Sequence, residues 1–316
     1  NGQYELIGDT GAAPSEPIPG TLAEFAARAG ASGPQPTADF ATFHAGYAFG
    51  RSGWGAERPF ADEVAWTVRY GPGVQIHGHP DGGSLLVYGN GSRLLVGSGT
   101  YSYNPGAFRD YFLSRAAQNV VTVGGMPYRS SAVTPLLARI ETPQALGVSV
   151  RIQGCPGVSD VRTVVFSRRL RYIVVDDRLN ATTTHRYAQL WHLAPASHPR
   201  IVGQTVSTSQ PGGDVIIRQL AGTDAMSVVS GQLSPIQGWL TYAYNTKLAA
   251  PVVTATKSGR SARFLTLIAP VPDPAVPVRV TSVALFADGY SAVVSIGGQS
   301  ERIVVRGATV RIDSVR

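Results

Sequence analysis

The chain has 316 residues, of which 43% are hydrophobic and only 15% are charged, a balance typical of a folded globular protein rather than a disordered one. Its net charge is +7 and only two of its 27 basic residues are lysines, so the arginine excess indicates either an anionic ligand or a GC-rich genome. No apolar run is long enough for a membrane-spanning helix, and no run of basic residues interleaved with aromatics indicates nucleic-acid binding. Cys155 is the single cysteine, which excludes a disulfide framework.

The first 40 residues differ from the rest of the chain. Asn1 stands where a methionine would begin a whole protein, which leads us to expect a piece of a longer protein. In residues 21–30, TLAEFAARAG, apolar residues recur at helical spacing, with Thr21 as the N-cap and Gly30 as the stop. The flanking segments are rich in glycine, proline and alanine. Residues 1–40 are therefore predicted to be a linker with one short helix.

Strand patterns dominate from residue 41 onward. The clearest strands are predicted over residues 63–70, 84–97, 119–125, 163–179 and 262–270. Asn90-Gly91 between two apolar runs predicts a two-residue hairpin, whereas Asp176 and Asp177 are interpreted as turn residues after a buried strand. We predict an all-β chain, a large antiparallel β-sandwich of stacked sheets. Residues 41–250 would form the sandwich and residues 251–316 a C-terminal β subdomain or its completing strands.

Two of the six histidines lie in the segment IHGHPDGG. In an extended segment, residues two apart share a face, so we predict Gln75, His77 and His79 on one side of a strand that leads into the hairpin. His79 would then lie roughly opposite Ser102. Two imidazoles near tyrosines on a sheet face indicate a binding or proton-transfer site. The alternative is a pair of structural or solvated histidines.

Several segments resemble, in the same order, the C-terminal β-sheet region of the heparinase II/III-like family of polysaccharide lyases. The matching segments are GYAFGRSGWG (46–55), HGHPD (77–81), GNGSRLLVGSGTYSY (89–103), RDYFLSRAAQNVVTVGG (109–125), LWHLAP (190–195) and IQGWLTYAYNTKLAAPVV (236–253). Residues 4–11, YELIGDTG, resemble the segment that leaves the family's N-terminal helical toroid. Residues 1–40 would thus be the end of a helical domain that this chain does not contain.

The resemblance implies β-elimination on a uronate-containing polysaccharide. The expected partners are an anionic polysaccharide and an N-terminal helical toroid domain or chain, with no nucleic acid and no membrane span. The expected location is secreted, or in the cell envelope or periplasm, of a bacterium. The predicted catalytic residues are His77, Tyr101 and Tyr111. The predicted substrate-binding residues are Arg51, Arg109, His79, Gln118 and Asn119.

The family's metal ligands are not all present. The resemblance places His79, Gly97 and Gln118 at the three ligand positions. One ligand cannot hold zinc against water, because structural zinc sites take four protein donors. We therefore expect no metal and no other cofactor, with Gln118 hydrogen-bonding His79 instead.

Two other functions remain open at this point. One is a non-catalytic carbohydrate-binding or scaffold module of the same fold, which the replaced metal ligands favour. The other is a β-sandwich interaction protein without a sugar ligand. The presence of His77, Tyr101, Arg109 and Tyr111 favours the enzyme, so the prediction is the β-sheet half of a lyase.

Overall fold

The computed structural model describes residues 3–74 and 77–315. It confirms the predicted all-β class of stacked antiparallel sheets. The predicted N-terminal helix is α1, Leu22–Ala27, and the Thr21 hydroxyl accepts a hydrogen bond from the backbone N–H of Ala23 at 3.2 Å. A second helix, α2, spans Ala107–Phe112. Neither helix, nor any other in the described part, is long and apolar enough to cross a membrane.

The strands are named in chain order. They are β1 Phe40–Phe43, β2 Tyr47–Arg51, β3 Ala65–Arg69, β4 Leu85–Gly89, β5 Ser92–Leu95, β6 Val121–Val123, β7 Leu136–Glu141, β8 Ala145–Ile152, β9 Val158–Ser167, β10 Ile173–His192, β11 Arg200–Val202, β12 Thr205–Ser207, β13 Asp214–Gln219, β14 Ala225–Val229, β15 Gln232–Leu233, β16 Ile236–Gln237, β17 Trp239–Leu240, β18 Leu248–Ala249, β19 Val252–Val271, β20 Val278–Phe286, β21 Gly289–Ile296, β22 Gln299–Arg306 and β23 Thr309–Val315. Two short 3₁₀ helices span Phe60–Asp62 and Arg115–Ala117.

The first sheet is a meander of β1 to β5 in sequence order. Its last turn is the predicted hairpin, in which Gly89 pairs with Ser92. Asn90 and Gly91 have φ values of 50° and 84°, the left-handed conformations that a type I′ turn requires.

The second sheet has ten strands and is built on two strands of 20 residues, β10 and β19, which pair along most of their length. It forms the middle layer of the molecule. Val164 and Phe166 of β9 pack in the core shared with the first sheet. Val165 between them points the other way, into the core shared with β20 to β23. This alternation is the two-residue period of a strand that is buried on both faces.

The C-terminal sheet, β20 to β23, is a four-stranded meander. The predicted region 251–316 divides in the structure, because β19 belongs to the middle sheet and only residues from Val278 onward form the separate sheet. The division of the chain into domains stays a prediction.

A buried ion pair crosses the middle sheet beneath the histidine segment. Arg162 of β9 and Asp177 of β10 face each other, joined by hydrogen bonds of 2.6 and 2.9 Å, and both side chains are at most 1% exposed. Asp176 is paired in the same way with Arg263 of β19. The interpretation of Asp176 and Asp177 as turn residues is therefore wrong. Each carboxylate continues the strand because an arginine neutralises it.

Candidate functional site

The two histidines lie in a loop, not on a strand. The described loop runs from His77 to Ser84, ahead of β4, and His77 has a left-handed φ of 63°. The prediction of a shared strand face is therefore wrong for His77 and His79, since Gly78 and Pro80 favour a turn at this point. Gln75 lies outside the described residues. The predicted pairing of His79 with Ser102 also fails, because β5 ends at Leu95.

Buried arginines hold the loop in place. Arg115 donates hydrogen bonds to the carbonyl oxygens of Pro80 and Gly82 at 3.0 and 3.1 Å. Arg162 donates to the carbonyl oxygen of Gly83 at 2.7 Å. Both arginines are buried, and Arg162 belongs to β9, so its hydrogen bond holds the loop against the middle sheet. The His77 side chain projects from this fixed base and is 63% exposed.

A carboxylate from the N-terminal segment meets both histidines. Asp9 accepts hydrogen bonds at its two oxygens from His77 Nδ1 at 3.0 Å, His79 Nε2 at 3.1 Å and the Tyr103 hydroxyl at 2.9 Å. We call these four residues the Asp9 cluster. The hydrogen bond from His79, then those from His77 and Tyr103, hold the pKa of Asp9 well below its usual range, against the opposing effect of burial. Asp9 is therefore ionised at neutral pH.

The inner histidine is anchored on its other nitrogen. His79 Nδ1 lies 3.2 Å from Gln118 Nε2 and 3.3 Å from the Ser98 hydroxyl. The hydrogen bond predicted between Gln118 and His79 is thus present. His79 Nε2 faces the ionised carboxylate of Asp9 and therefore donates to it. The side chains of His79 and Gln118 are buried, so they present almost no surface to the substrate that they were predicted to bind.

The residues present do not fit the family's metal. A Cβ at Gly97 would lie 2.1 Å from the carbonyl oxygen of Leu6, so the N-terminal segment occupies the space that a ligand side chain would need. Gln118 is engaged with His79 and Ser98. Within residues 3–74 and 77–315, no group of three or more His, Cys, Asp or Glu is arranged to hold a metal ion.

We expect elemental analysis of the purified protein to find well under one zinc per chain. The physical reason is that His79 alone remains of the three ligands. The matched control is the His79→Ala variant, which should have the same zinc content. Stoichiometric zinc that a chelator removes and that His79→Ala abolishes would contradict this account.

Tyr103 is the tyrosine beside His77. Its ring centroid lies 6.0 Å from that of His77. The hydrogen bond to Asp9 raises the pKa of the Tyr103 hydroxyl, which keeps it protonated. The sequence placed Tyr103 only in the neighbourhood of the histidines. The predicted catalytic tyrosine was Tyr101, two residues earlier.

The two tyrosines predicted to be catalytic lie at different depths. Tyr101 lines the small cavity that also contains Asp9, His79 and Tyr103. Tyr101 stacks on Phe112, with ring centroids 5.3 Å apart. Tyr111 is buried, its hydroxyl donates to the carbonyl oxygen of Trp239 at 3.4 Å, and burial raises its pKa to about 12. Among the described residues, no hydrogen bond joins either tyrosine to Asp9, His77 or His79. Their catalytic role stays a prediction.

The two predicted substrate-binding arginines are separated. Arg109 of α2 lines a small cavity together with Asp9, His79 and Tyr103. Arg51 lies at the end of β2 and lines a different cavity. Its guanidinium is 4.5 Å from the ring of Trp54, and its Nε donates to the carbonyl oxygen of Gly53. Of the two predicted arginines, Arg109 is therefore the one beside the Asp9 cluster.

Asn119 connects neighbouring strands through side-chain hydrogen bonds. Its side chain donates to the carbonyl oxygens of Leu85 and Val96 at 2.9 and 3.0 Å and accepts from the backbone N–H of His192 at 2.6 Å. The residue is 0% exposed. The substrate contact predicted for Asn119 therefore has no accessible surface. The side chain joins β4, the end of β5 and β10.

Comparisons with known proteins cover most of the chain. The family model described as heparinase II/III-like, C-terminal, matches residues 34–275. Heparan sulfate lyase HepC from Pedobacter heparinus has a similar structure, with a TM-score of 0.81 at 17% identity over 96% of this chain and 50% of that one. A heparinase III, the BT4657 gene product, gives a TM-score of 0.80 at 16% identity over 96% of this chain and 50% of that one. Another heparinase III gives 0.74 at 18% identity over 90% and 46%.

The chain spans about half the length of these solved structures. At these identities the likeness shows a shared fold. No curated protein sequence matches the chain significantly.

Proposed function

The chain belongs to the heparinase II/III-like family, and from this premise we propose that it is the β-sheet half of a polysaccharide lyase. The proposed reaction is β-elimination on an anionic, uronate-containing polysaccharide. The chain supplies the Asp9 cluster and Arg109, and an N-terminal helical toroid supplies the opposite wall of the site. The solved relatives named as heparinase or heparan sulfate lyase support this substrate class.

One observation carries the proposal. His77, at the position of the family's reacting histidine, is an exposed imidazole whose Nδ1 is hydrogen-bonded to an ionised carboxylate, and it projects from a loop fixed by buried arginines. Structural histidines are satisfied in the interior, as His192 is by Ala116 and Asn119. A general base instead needs an imidazole with one ring nitrogen hydrogen-bonded to an orienting group and the other ring nitrogen accessible to the substrate.

The chemistry assigns a role to each group. Elimination removes the proton from the carbon that bears the uronate carboxylate. It breaks the bond between the neighbouring carbon and the glycosidic oxygen, and a double bond forms between the two carbons. His77 Nε2 is placed to accept the proton, and Arg109 to bind the carboxylate, which makes that proton more acidic. A tyrosine hydroxyl gives a proton to the leaving oxygen. Tyr103 is the nearest such hydroxyl in this chain, and the toroid is the family's usual source.

The partners follow from the same chemistry. A net charge of +7, carried mostly by arginine, attracts a polyanion to the surface. An enzyme acting on extracellular polysaccharide works outside the cytoplasm, so we place the complete protein in the cell envelope or periplasm, or among the secreted proteins, of a bacterium.

Product analysis tests the proposal. The complete protein is incubated with heparan sulfate, chondroitin sulfate, hyaluronan, alginate and polygalacturonate in turn. Elimination should give an unsaturated uronate, which absorbs in the ultraviolet and has the mass of the hydrolytic product less one water. Products with the mass of hydrolysis and no absorbance would reject a lyase.

A further inference from the structure

The segment that carries Asp9 is folded onto the β-domain. Residues 3–14 form a narrow loop closed by a bridge between Gln3 and Pro14. Leu6 is 2% exposed and packs with Val96, Ala194, Leu240 and Ala250. The backbone N–H of Ala12 donates to the carbonyl oxygen of Tyr242 at 3.0 Å. Asp9 is therefore presented by a fixed element.

Two glycines allow this close approach. A Cβ at Gly8 would lie 2.5 Å from the carbonyl oxygen of His77, and one at Gly97 would lie 2.1 Å from that of Leu6. The backbone N–H of Asp9 donates to the carbonyl oxygen of His77 at 2.9 Å. The segment thus contacts His77 through its main chain as well as its carboxylate, and it occupies the space that a side chain at residue 97 would need.

The hydrogen bonds at Asp9 determine where the protons lie. An ionised carboxylate only accepts hydrogen bonds, so the His77 nitrogen that faces it carries the proton. His77 Nδ1 is that nitrogen, which leaves Nε2 as the unprotonated, basic nitrogen of the neutral ring. The Tyr103 hydroxyl donates to the same carboxylate oxygen. One side chain therefore orients both candidate proton-transfer groups.

We infer that Asp9 is a positioning residue for the proposed elimination, fixing His77 in the tautomer whose Nε2 accepts the substrate proton. The inference rests on the proposed function. It assigns the orientation of the site to a carboxylate of the N-terminal segment. As His77 becomes positively charged during proton transfer, the carboxylate also stabilises that charge.

The variant Asp9→Asn tests the inference in the complete protein, with heparan sulfate as the probe and any other polysaccharide that proves to be cleaved. An amide at residue 9 can donate to His77 Nδ1, which places the proton on Nε2 and removes the base. We expect kcat to fall by roughly 100-fold or more, with KM changed much less. Asp9→Glu, which keeps the charge, should recover part of the rate. Asp62→Asn, at an exposed aspartate of the Phe60–Asp62 turn, is the matched control and should match the wild type.

A double-mutant cycle separates positioning from folding. If Asp9 acts through His77, Asp9→Asn should cause no further loss of kcat in a protein that already carries His77→Ala. Losses that multiply in the double variant, or a wild-type kcat for Asp9→Asn, would overturn the inference. Should Asp9→Asn fail to fold, Asp9→Glu completes the same cycle. A His77→Ala protein with normal kcat would instead reject the proposed function itself.

Discussion

The variant His77→Ala of the complete enzyme is expected to turn over substrate roughly two to four orders of magnitude more slowly than the wild type, the usual contribution of a positioned acid or base. Folding should be nearly unchanged, because the side chain is 63% exposed and contributes little packing. Substrate binding should weaken much less than turnover, because Arg109 remains. Turnover at saturating substrate and melting temperature are measured on the same preparation.

Two controls accompany this variant. The left-handed φ of 63° at residue 77 strains alanine, and asparagine tolerates that conformation better. His77→Asn therefore removes the base with less strain and should be equally inactive. His185→Ala alters a half-buried histidine that contacts Thr183, away from the Asp9 cluster, and should leave turnover unchanged. If His77→Ala and His77→Asn melt early yet keep normal turnover per folded molecule, the catalytic assignment is wrong.

The second large effect concerns stability. Asp177→Ala should lower the free energy of unfolding by about 3–5 kcal/mol, since it leaves the buried charge of Arg162 without its partner. Gln189 would also lose the acceptor of its 2.8 Å hydrogen bond. Arg162 also donates to Gly83 and Asn119, so the histidine loop should loosen and activity should fall with stability. Chemical denaturation of the purified protein measures the change.

The matched control for this prediction is Asp313→Ala. This variant breaks the ion pair between Arg311 and Asp313, whose side chains are 76% and 44% exposed, respectively. It should lower the free energy of unfolding by less than about 1 kcal/mol. Equal losses for the two variants would show that the buried pair contributes no more than an exposed one. The account of the loop's support would then fail.

Local sequence signals predicted the parts of the fold that are locally determined. Thr21 caps the start of a helix because capping involves atoms within a few residues, although the helix ends at Ala27, before the predicted stop at Gly30. Asn90-Gly91 forms its hairpin because left-handed φ is a property of those two residues. The stacked sheets followed from strand signals that recur along the chain with turn residues between them. These predictions needed no knowledge of distant partners.

The candidate site depends on contacts that the sequence does not display. Asp9 is 68 residues from His77 and 70 from His79, in a segment that the sequence identified as the exit from a helical domain and not as part of the site. Arg162 lies on the strand beside Asp177, 15 residues away in sequence. Without that partner in view, two consecutive aspartates at residues 176 and 177 resembled a turn. The histidine segment was read as a strand because alternation at His77 and His79 suggested one, whereas Gly78 and Pro80 form a loop.

Whether this region is one half of a lyase site can be decided by a direct comparison. Residues 1–316 alone and the complete protein with its helical half are assayed at equal molar concentration for unsaturated uronate, on heparan sulfate and then on the other four polysaccharides. We expect the complete protein to form the product and residues 1–316 alone to form none, because positioning between two walls supplies several kcal/mol of barrier reduction. Product from residues 1–316 at a rate comparable to that of the complete protein would contradict the division of the site, and product from neither protein on any of the five would contradict the lyase assignment.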